Sequence, residues 1–243
     1  MDVQIFLDAL TSRALREGLV MTILLTIVSF GIGMALGLGV ALLRSSRFRV
    51  VRAGAWTYIW VFRAMPTLLL LLFFWNGLPQ LIPALKGPGY PAFLAATIAL
   101  STNEAAYAAE IFRGGLLSID DGQRLAARAL GMAPASVFRR VVLPQVVRVV
   151  IPPAANDFIT MLKITSLASA VSLREILTNT QTQIATTFRF AEWYTAAAIY
   201  YLVLVSIFMV LQAWLERRYV WLSQREGAGR QRLSFLRGNT SAR

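Results

Sequence analysis

The chain contains no cysteine and no histidine. The first absence removes disulfides and thiolate nucleophiles, the second removes imidazole bases, and together they remove the ordinary ligands of zinc. Charge is scarce as well. Asp, Glu, Lys and Arg make up 15% of the 243 residues, well below the roughly one quarter found in soluble domains. No G-x-x-x-x-G-K-[ST] run occurs, so the chain lacks the usual loop that cradles ATP phosphates. The first 18 residues carry Asp2, Asp8 and Glu17 without a basic leading region, which is not the pattern of a cleavable signal peptide.

What is present is apolar. Hydrophobic residues make up 57% of the chain and the mean hydropathy is +0.60, so the length predicts one domain and the composition places it in lipid. Runs long enough to cross a bilayer core of about 30 Å predict five spans near residues 19–43, 66–83, 93–117, 145–170 and 193–215. The segment to Met65 is expected to lie on the membrane surface, because Pro66 suits the first turn of a helix; a single continuous, kinked helix is the alternative. Pro152-Pro153 is expected to interrupt the fourth span, and residues 217–243 to form a disordered tail.

Lys and Arg fall in alternate connections. Four lie between Arg44 and Arg52, six between Arg113 and Arg148 and seven from Arg217 onward, against four at Arg13, Arg16, Lys86 and Arg189. Basic loops stay cytoplasmic. The expected topology is therefore an external N-terminal segment (1–18), a transmembrane domain (19–216) and a cytoplasmic C-terminus. On this reading the net charge of +12 is an orientation signal and does not indicate nucleic acid. Trp56, Tyr58, Trp193, Tyr194, Trp214 and Tyr219 are expected in interfacial belts. Gly33 and Gly37 form a GxxxG, read as tight helix packing.

The one polar insert is 120–144. Asp120 and Gln123 have capping-box spacing, Arg124 to Leu130 is strong helix-forming sequence, and Gly131 sits where a left-handed terminator is wanted. A short helix ending in Leu130 and Met132 suits a groove on a soluble partner. Cover for the chain's own membrane domain is the alternative.

Here the sequence resembles ATP-binding-cassette (ABC) importer permeases. Their cytoplasmic loop reads Glu-Ala-Ala, three residues, Gly, nine residues, Ile, one residue, Leu-Pro. This chain has Leu125-Ala126-Ala127, Gly131, Val141 and Leu143-Pro144 at that spacing, with Leu125 in place of the glutamate. Further likeness lies in Gly18-Leu19 with Thr22 and Thr26, Phe62-Arg63-Ala-Met-Pro66, Ala106-Tyr107-Ala-Ala-Glu110, Ser118-Ile119-Asp-Asp-Gly122-Gln123, Pro152-Pro153 with Asn156, and Leu162-Lys163-Ile-Thr165-Ser166. These point to the histidine/glutamine/glutamate permease branch.

The resemblance implies an all-α integral membrane protein of the ABC importer type-1 permease fold, with five transmembrane helices, N-terminus outside and C-terminus cytoplasmic. It implies a multi-pass subunit of a bacterial inner membrane and import of an amino acid by alternating access. The implied partners are a second permease subunit, two ATPase subunits and an external substrate-binding protein. ATP and magnesium would sit on the ATPase, with no cofactor, metal or catalytic residue on this chain. The implied coupling residues are Gly122, Gln123, Leu125, Ala126, Ala127, Leu130, Gly131 and Met132. The implied dimer is a homodimer or a heterodimer, and Leu125 favours a heterodimer whose other half keeps the glutamate.

Ionisable groups within spans are costly and line polar paths or pair internally. Asn156, Asp157, Met161 and Thr165 are the expected lining, with Lys163 and Ser166 second, and Glu104 and Tyr107 on the preceding span. Asp157 is expected to accept from the ammonium of a zwitterion, with hydroxyls or a helix N-terminus donating to its carboxylate. Glu110 and Arg113, three apart on one helix, are read as a structural pair. Two other classes compete. A stand-alone ion-driven amino-acid carrier or channel is disfavoured by the absence of an inverted repeat and by an insert suited to docking. An intramembrane enzyme is disfavoured by the missing histidine and cysteine.

Overall fold

The computed structural model describes the backbone of residues 2–238 and the side chains of residues 2–218. Eleven helices appear among the described residues, with no strand. Helix α1 (Val3–Leu10) leads into α2 (Arg13–Arg44), a 32-residue rod over the stretch predicted as the first span. Then come α3 (Arg49–Ala64) and α4 (Thr67–Leu72), a π turn over Phe73–Gly77, and α5 (Leu78–Leu81). The long α6 (Ala92–Leu117) follows, then α7 (Asp121–Ala129), α8 (Pro134–Val137) and α9 (Leu143–Ile164). The described chain ends with α10 (Ile176–Thr187) and α11 (Phe190–Gly238).

The break at Pro66 lies where the sequence predicts it: α3 and the run Thr67–Leu81 meet at 102°. Pro66 has no N–H to donate and holds the residue before it extended, and Met65 has φ −80° and ψ 133°. Among the described residues, α2 and Phe190–Arg218 of α11 are each apolar and long enough to cross a membrane, and the bent pair qualifies as one unit. Helices α6 and α9, with 26 and 22 residues, are long enough for the bilayer core. Their charged residues dilute the hydropathy, and of these Glu104 is buried inside the bundle.

Packing centres on α2 against α6. A Cβ added at Gly37 would stand 2.5 Å from the Ala108 Cβ, and one at Gly33 would stand 2.6 Å from Glu104 Cβ. The small residues therefore let two backbones touch, as the GxxxG spacing suggests. Leu25 of α2 and Ala96, Ala99 and Leu100 of α6 continue this seam into a buried cluster with Leu71, Ala168 and Val171. A second cluster under the insert joins Ile119, Ala127, Val137, Val142, Val146 and Val150. A third ties α1 to the start of α11 through Ala9, Leu15, Ile184, Trp193 and Ala196.

Several expectations need correction. Pro152-Pro153 does not interrupt the fourth span: α9 runs unbroken from Leu143 to Ile164. A proline removes one helical hydrogen bond, and the ring clash is absorbed where neighbouring helices hold the rod. The span does not continue as α-helix to Ala170 but tightens into a 3₁₀ segment over Thr165–Val171, closed by Ser172 in the left-handed region at φ 59°. Trp193 and Tyr58, expected in interfacial belts, turn toward the protein. Trp193 is buried in the third cluster, and the Tyr58 hydroxyl donates to the Thr102 carbonyl at 2.7 Å. The backbone of α11 continues helical to Gly238, where a disordered tail is expected; 239–243 lie outside the described residues.

The mixed stretch between the fourth and fifth spans is organised by Glu175, which is fully buried. Its carboxylate accepts from the backbone N–H groups of Leu177 and Thr178 at 2.8 and 2.6 Å and from the Tyr201 hydroxyl at 2.9 Å. Burial pushes this carboxyl above its ordinary range, and those donors oppose the push. Glu175→Ala removes a helix cap and leaves the Tyr201 hydroxyl unpaired. It should cost about 2 kcal/mol or more, read as a lowered melting temperature of the purified protein. A melting curve identical to wild type would exclude this role.

Candidate functional site

Two polar features stand out, one inside the bundle and one at its end. The inner one is a cavity of about 150 Å³ between α4, α6 and α9, lined by Thr67, Leu100, Asn103, Glu104, Tyr107, Asp157, Thr160, Met161 and Ile164. It brings Glu104 and Tyr107 together with Asp157 and Met161, four residues expected to line the path. Glu104 is buried, and its Oε1 has no hydrogen-bond partner. Gly33 makes room for that side chain, so the small-residue seam of α2 also holds a carboxylate in place.

A second cavity of about 440 Å³ adjoins this one, and the two share Tyr107 and Asp157. Arg63, Glu110, Asn156, Val149 and Pro153 also line the larger space. Pro152 and Pro153 deprive the carbonyls of Arg148 and Val149 of their helical donors, which leaves polar backbone on this side of α9. Glu110 is held by Arg113 at 2.6 and 2.9 Å, which is the structural pair expected.

Three expected lining residues lie elsewhere. Thr165 is fully buried and its hydroxyl donates to the Leu162 carbonyl at 2.7 Å. Ser166 spends its hydroxyl on the Lys163 carbonyl at 2.7 Å, and neither Ser166 nor Lys163 lines these cavities. For Thr165 and Ser166 the reason is the change to 3₁₀ geometry after Ile164, which turns them off the face that carries Asp157 and Met161, whereas Lys163, still within α9, is exposed on another face. The sequence reasoning missed Asn103, Thr67, Thr160 and Arg63 as lining. For Arg63 the signal was available: a cation in an apolar segment one turn before a helix-breaking proline.

Arg63 is positioned by α6. The Asn103 side-chain amide donates to the Phe62 carbonyl at 2.7 Å and so pins the end of α3. One helical turn on, the Tyr107 ring lies 5.2 Å from the Arg63 guanidinium carbon, in cation–π geometry.

The outer feature is the insert. Asp120 caps α7 by accepting from the Gly122 N–H at 2.8 Å. The capping box itself does not form: Asp120 takes the N–H of Gly122 rather than that of Gln123, and the Gln123 side chain accepts from the Gln145 side chain at 2.5 Å. Gly131 ends the helix with φ 79°, as predicted, and the Met132 N–H reaches back to the Ala127 carbonyl at 3.2 Å. The eight residues expected to couple divide into two faces. Ala127 is buried and Met132 packs beside it on the second cluster, while Gln123 anchors the insert to α9. Leu125, Ala126, Leu130, Gly131 and Gly122 face outward, with Leu130 84% exposed. The apolar tip is therefore Leu125 and Leu130, and Met132 belongs to the base that holds it.

Comparison with known proteins agrees with this geometry. Residues 27–221 match the family described as binding-protein-dependent transport system inner membrane component. The arginine transport system permease protein ArgU of Corynebacterium glutamicum is 38% identical over 86% of this chain and 69% of its own length. The octopine transport system permease protein OccM of Rhizobium radiobacter is 37% identical over 86% of this chain and 89% of its own. A crystal structure of an amino acid ABC transporter with histidines superposes with a TM-score of 0.78 at 36% identity, covering 84% of this chain and 94% of that one. The MetNI methionine transporter shares the fold alone, at 22% identity and a TM-score of 0.67. The chain thus belongs to the binding-protein-dependent transport system inner membrane components, as an ABC amino-acid importer permease subunit of the type-1 fold rather than an enzyme.

Proposed function

We propose that this permease carries an amino acid with a cationic side chain, bound in the cavity between α4, α6 and α9. The observation that carries the reading is the pairing of Glu104 and Asp157 in one small cavity that no Lys or Arg lines, with one Glu104 oxygen left without a partner. Unpaired carboxylates inside a membrane protein are expensive unless a cation answers them. The named substrates of several relatives, arginine, octopine and nopaline, support a guanidinium-bearing ligand. This assignment departs from the histidine/glutamine/glutamate branch suggested by the motifs alone.

We infer the rest of the machine from the family and from the topology read in the sequence. Five spans, with the N-terminus outside and the C-terminus cytoplasmic, put the insert on the side of the ATPase. ATP and magnesium are held there, and this chain needs no cofactor. A second permease subunit, two ATPase subunits and an external binding protein complete the assembly. Alternating access exposes the cavity first to the binding protein and then to the cytosol.

In the reconstituted complete transporter, Asp157→Asn and Glu104→Gln should each lower uptake of labelled arginine by about tenfold or more, the scale of one charge-assisted contact. Uptake equal to wild type in both variants would sink the reading.

A further inference from the structure

We propose that Arg63 binds the substrate's α-carboxylate and so determines that an amino acid, rather than any small cation, is accepted. The inference rests on the reading of the Glu104–Asp157 cavity and deepens it. A zwitterion needs an anion-binding group as well as an acidic one, and no cationic side chain lines the inner cavity. The next cavity outward shares Asp157 with it and adds Arg63. A ligand with its cationic end at Glu104 and Asp157 would extend its other end into the space Arg63 lines.

Arg63 is free for this work. Arg113, close by, is held by Glu110. No carboxylate lies within ion-pair distance of Arg63 among the described residues, and its described contact is the Tyr107 ring. Stacking on an aromatic face orients a guanidinium without using its N–H donors. The planar fork therefore remains available for a bidentate carboxylate. The Asn103 bond to the Phe62 carbonyl fixes the backbone next to it, so the fork is held beside the route before substrate arrives. Tyr107 lines both cavities as well as a third one around Arg44, Trp60 and Arg113, which places Arg63 and Tyr107 at the junction of the route.

The test compares arginine with agmatine, the same molecule without its carboxylate, by calorimetric titration of the purified permease–ATPase complex. Arg63→Gln should weaken arginine binding by about tenfold or more while agmatine binding changes by less than about twofold. Arg63→Lys should recover part of the loss, because a point charge replaces the fork. The readout is the arginine-to-agmatine affinity ratio within each variant, which a general folding defect does not move. An unchanged ratio in Arg63→Gln overturns the inference. If instead Asp157→Asn alters neither ligand's affinity, the cationic reading of the inner cavity is what fails.

Discussion

Gly37→Val is expected to prevent assembly of the subunit, whereas Gly39→Val, two residues along the same helix, is expected to be harmless. A Cβ at Gly37 would meet the Ala108 Cβ at 2.5 Å, the Ala105 carbonyl oxygen at 2.9 Å and the Ala109 nitrogen at 3.1 Å. These neighbours are backbone or the first side-chain atom, so no rotamer change relieves them. The helices must separate along a seam that also contains Gly33 and Glu104. Overpacking in water-soluble cores costs about 1–3 kcal/mol. In lipid the separated helices have no hydrophobic drive to re-form elsewhere, because association depends on close packing itself. A Cβ at Gly39 meets nothing within 4 Å. The comparison is read as the yield of monodisperse complex after size-exclusion chromatography. Equal yields from the two variants would contradict the packing described for α2 and α6.

Leu130→Asp is expected to disconnect ATP hydrolysis from transport while leaving the membrane domain folded. Leu130, at the end of α7, is 84% exposed and Leu125, in the middle of the same helix, is 65% exposed, while the buried side is already satisfied by Ala127 and Val137. Exposed leucines on a short helix closed by a left-handed glycine form a rigid apolar surface suited to a groove on a partner. Central apolar anchors in such interfaces contribute about 2 kcal/mol or more each, and a carboxylate in their place must be desolvated as well. The expected result is at least a tenfold loss of binding-protein-stimulated ATPase activity, with the permease still purifying as a folded subunit. Copurification with the ATPase and the stimulated rate together decide the matter. A variant with normal copurification and normal stimulation would remove the insert's tip from the coupling role. The substitution of Leu125 for the family's glutamate fits this picture, since docking at that corner then relies on packing instead of an ion pair.

Much of this molecule is legible without coordinates because lipid permits few choices. A helix satisfies its own backbone, so apolar length alone located α2 and α11, and the missing N–H of Pro66 located the bend. Gly131 announced its left-handed turn through the residues before it, and the spacing of Gly33 and Gly37 announced a close helix contact. Residue order could not show what each helix turns toward, and the errors fall there. The Pro152-Pro153 pair reads as a break, yet packing keeps α9 whole and only two carbonyls go unbonded. Met132 reads as part of the exposed tip, yet it lies on the chain's own apolar cluster.

The sequence alone therefore determined the class of the protein, its polar insert and the carboxylates buried in its spans, since burying or exposing apolar surface is decided residue by residue. Only the tertiary structure decided that Glu104 and Asp157, more than fifty residues apart in the chain, share one cavity, and that Arg63 stands at its edge. Which groups meet depends on how helices rotate against one another. That rotation is set by the close fit of α2 on α6, which no local pattern encodes.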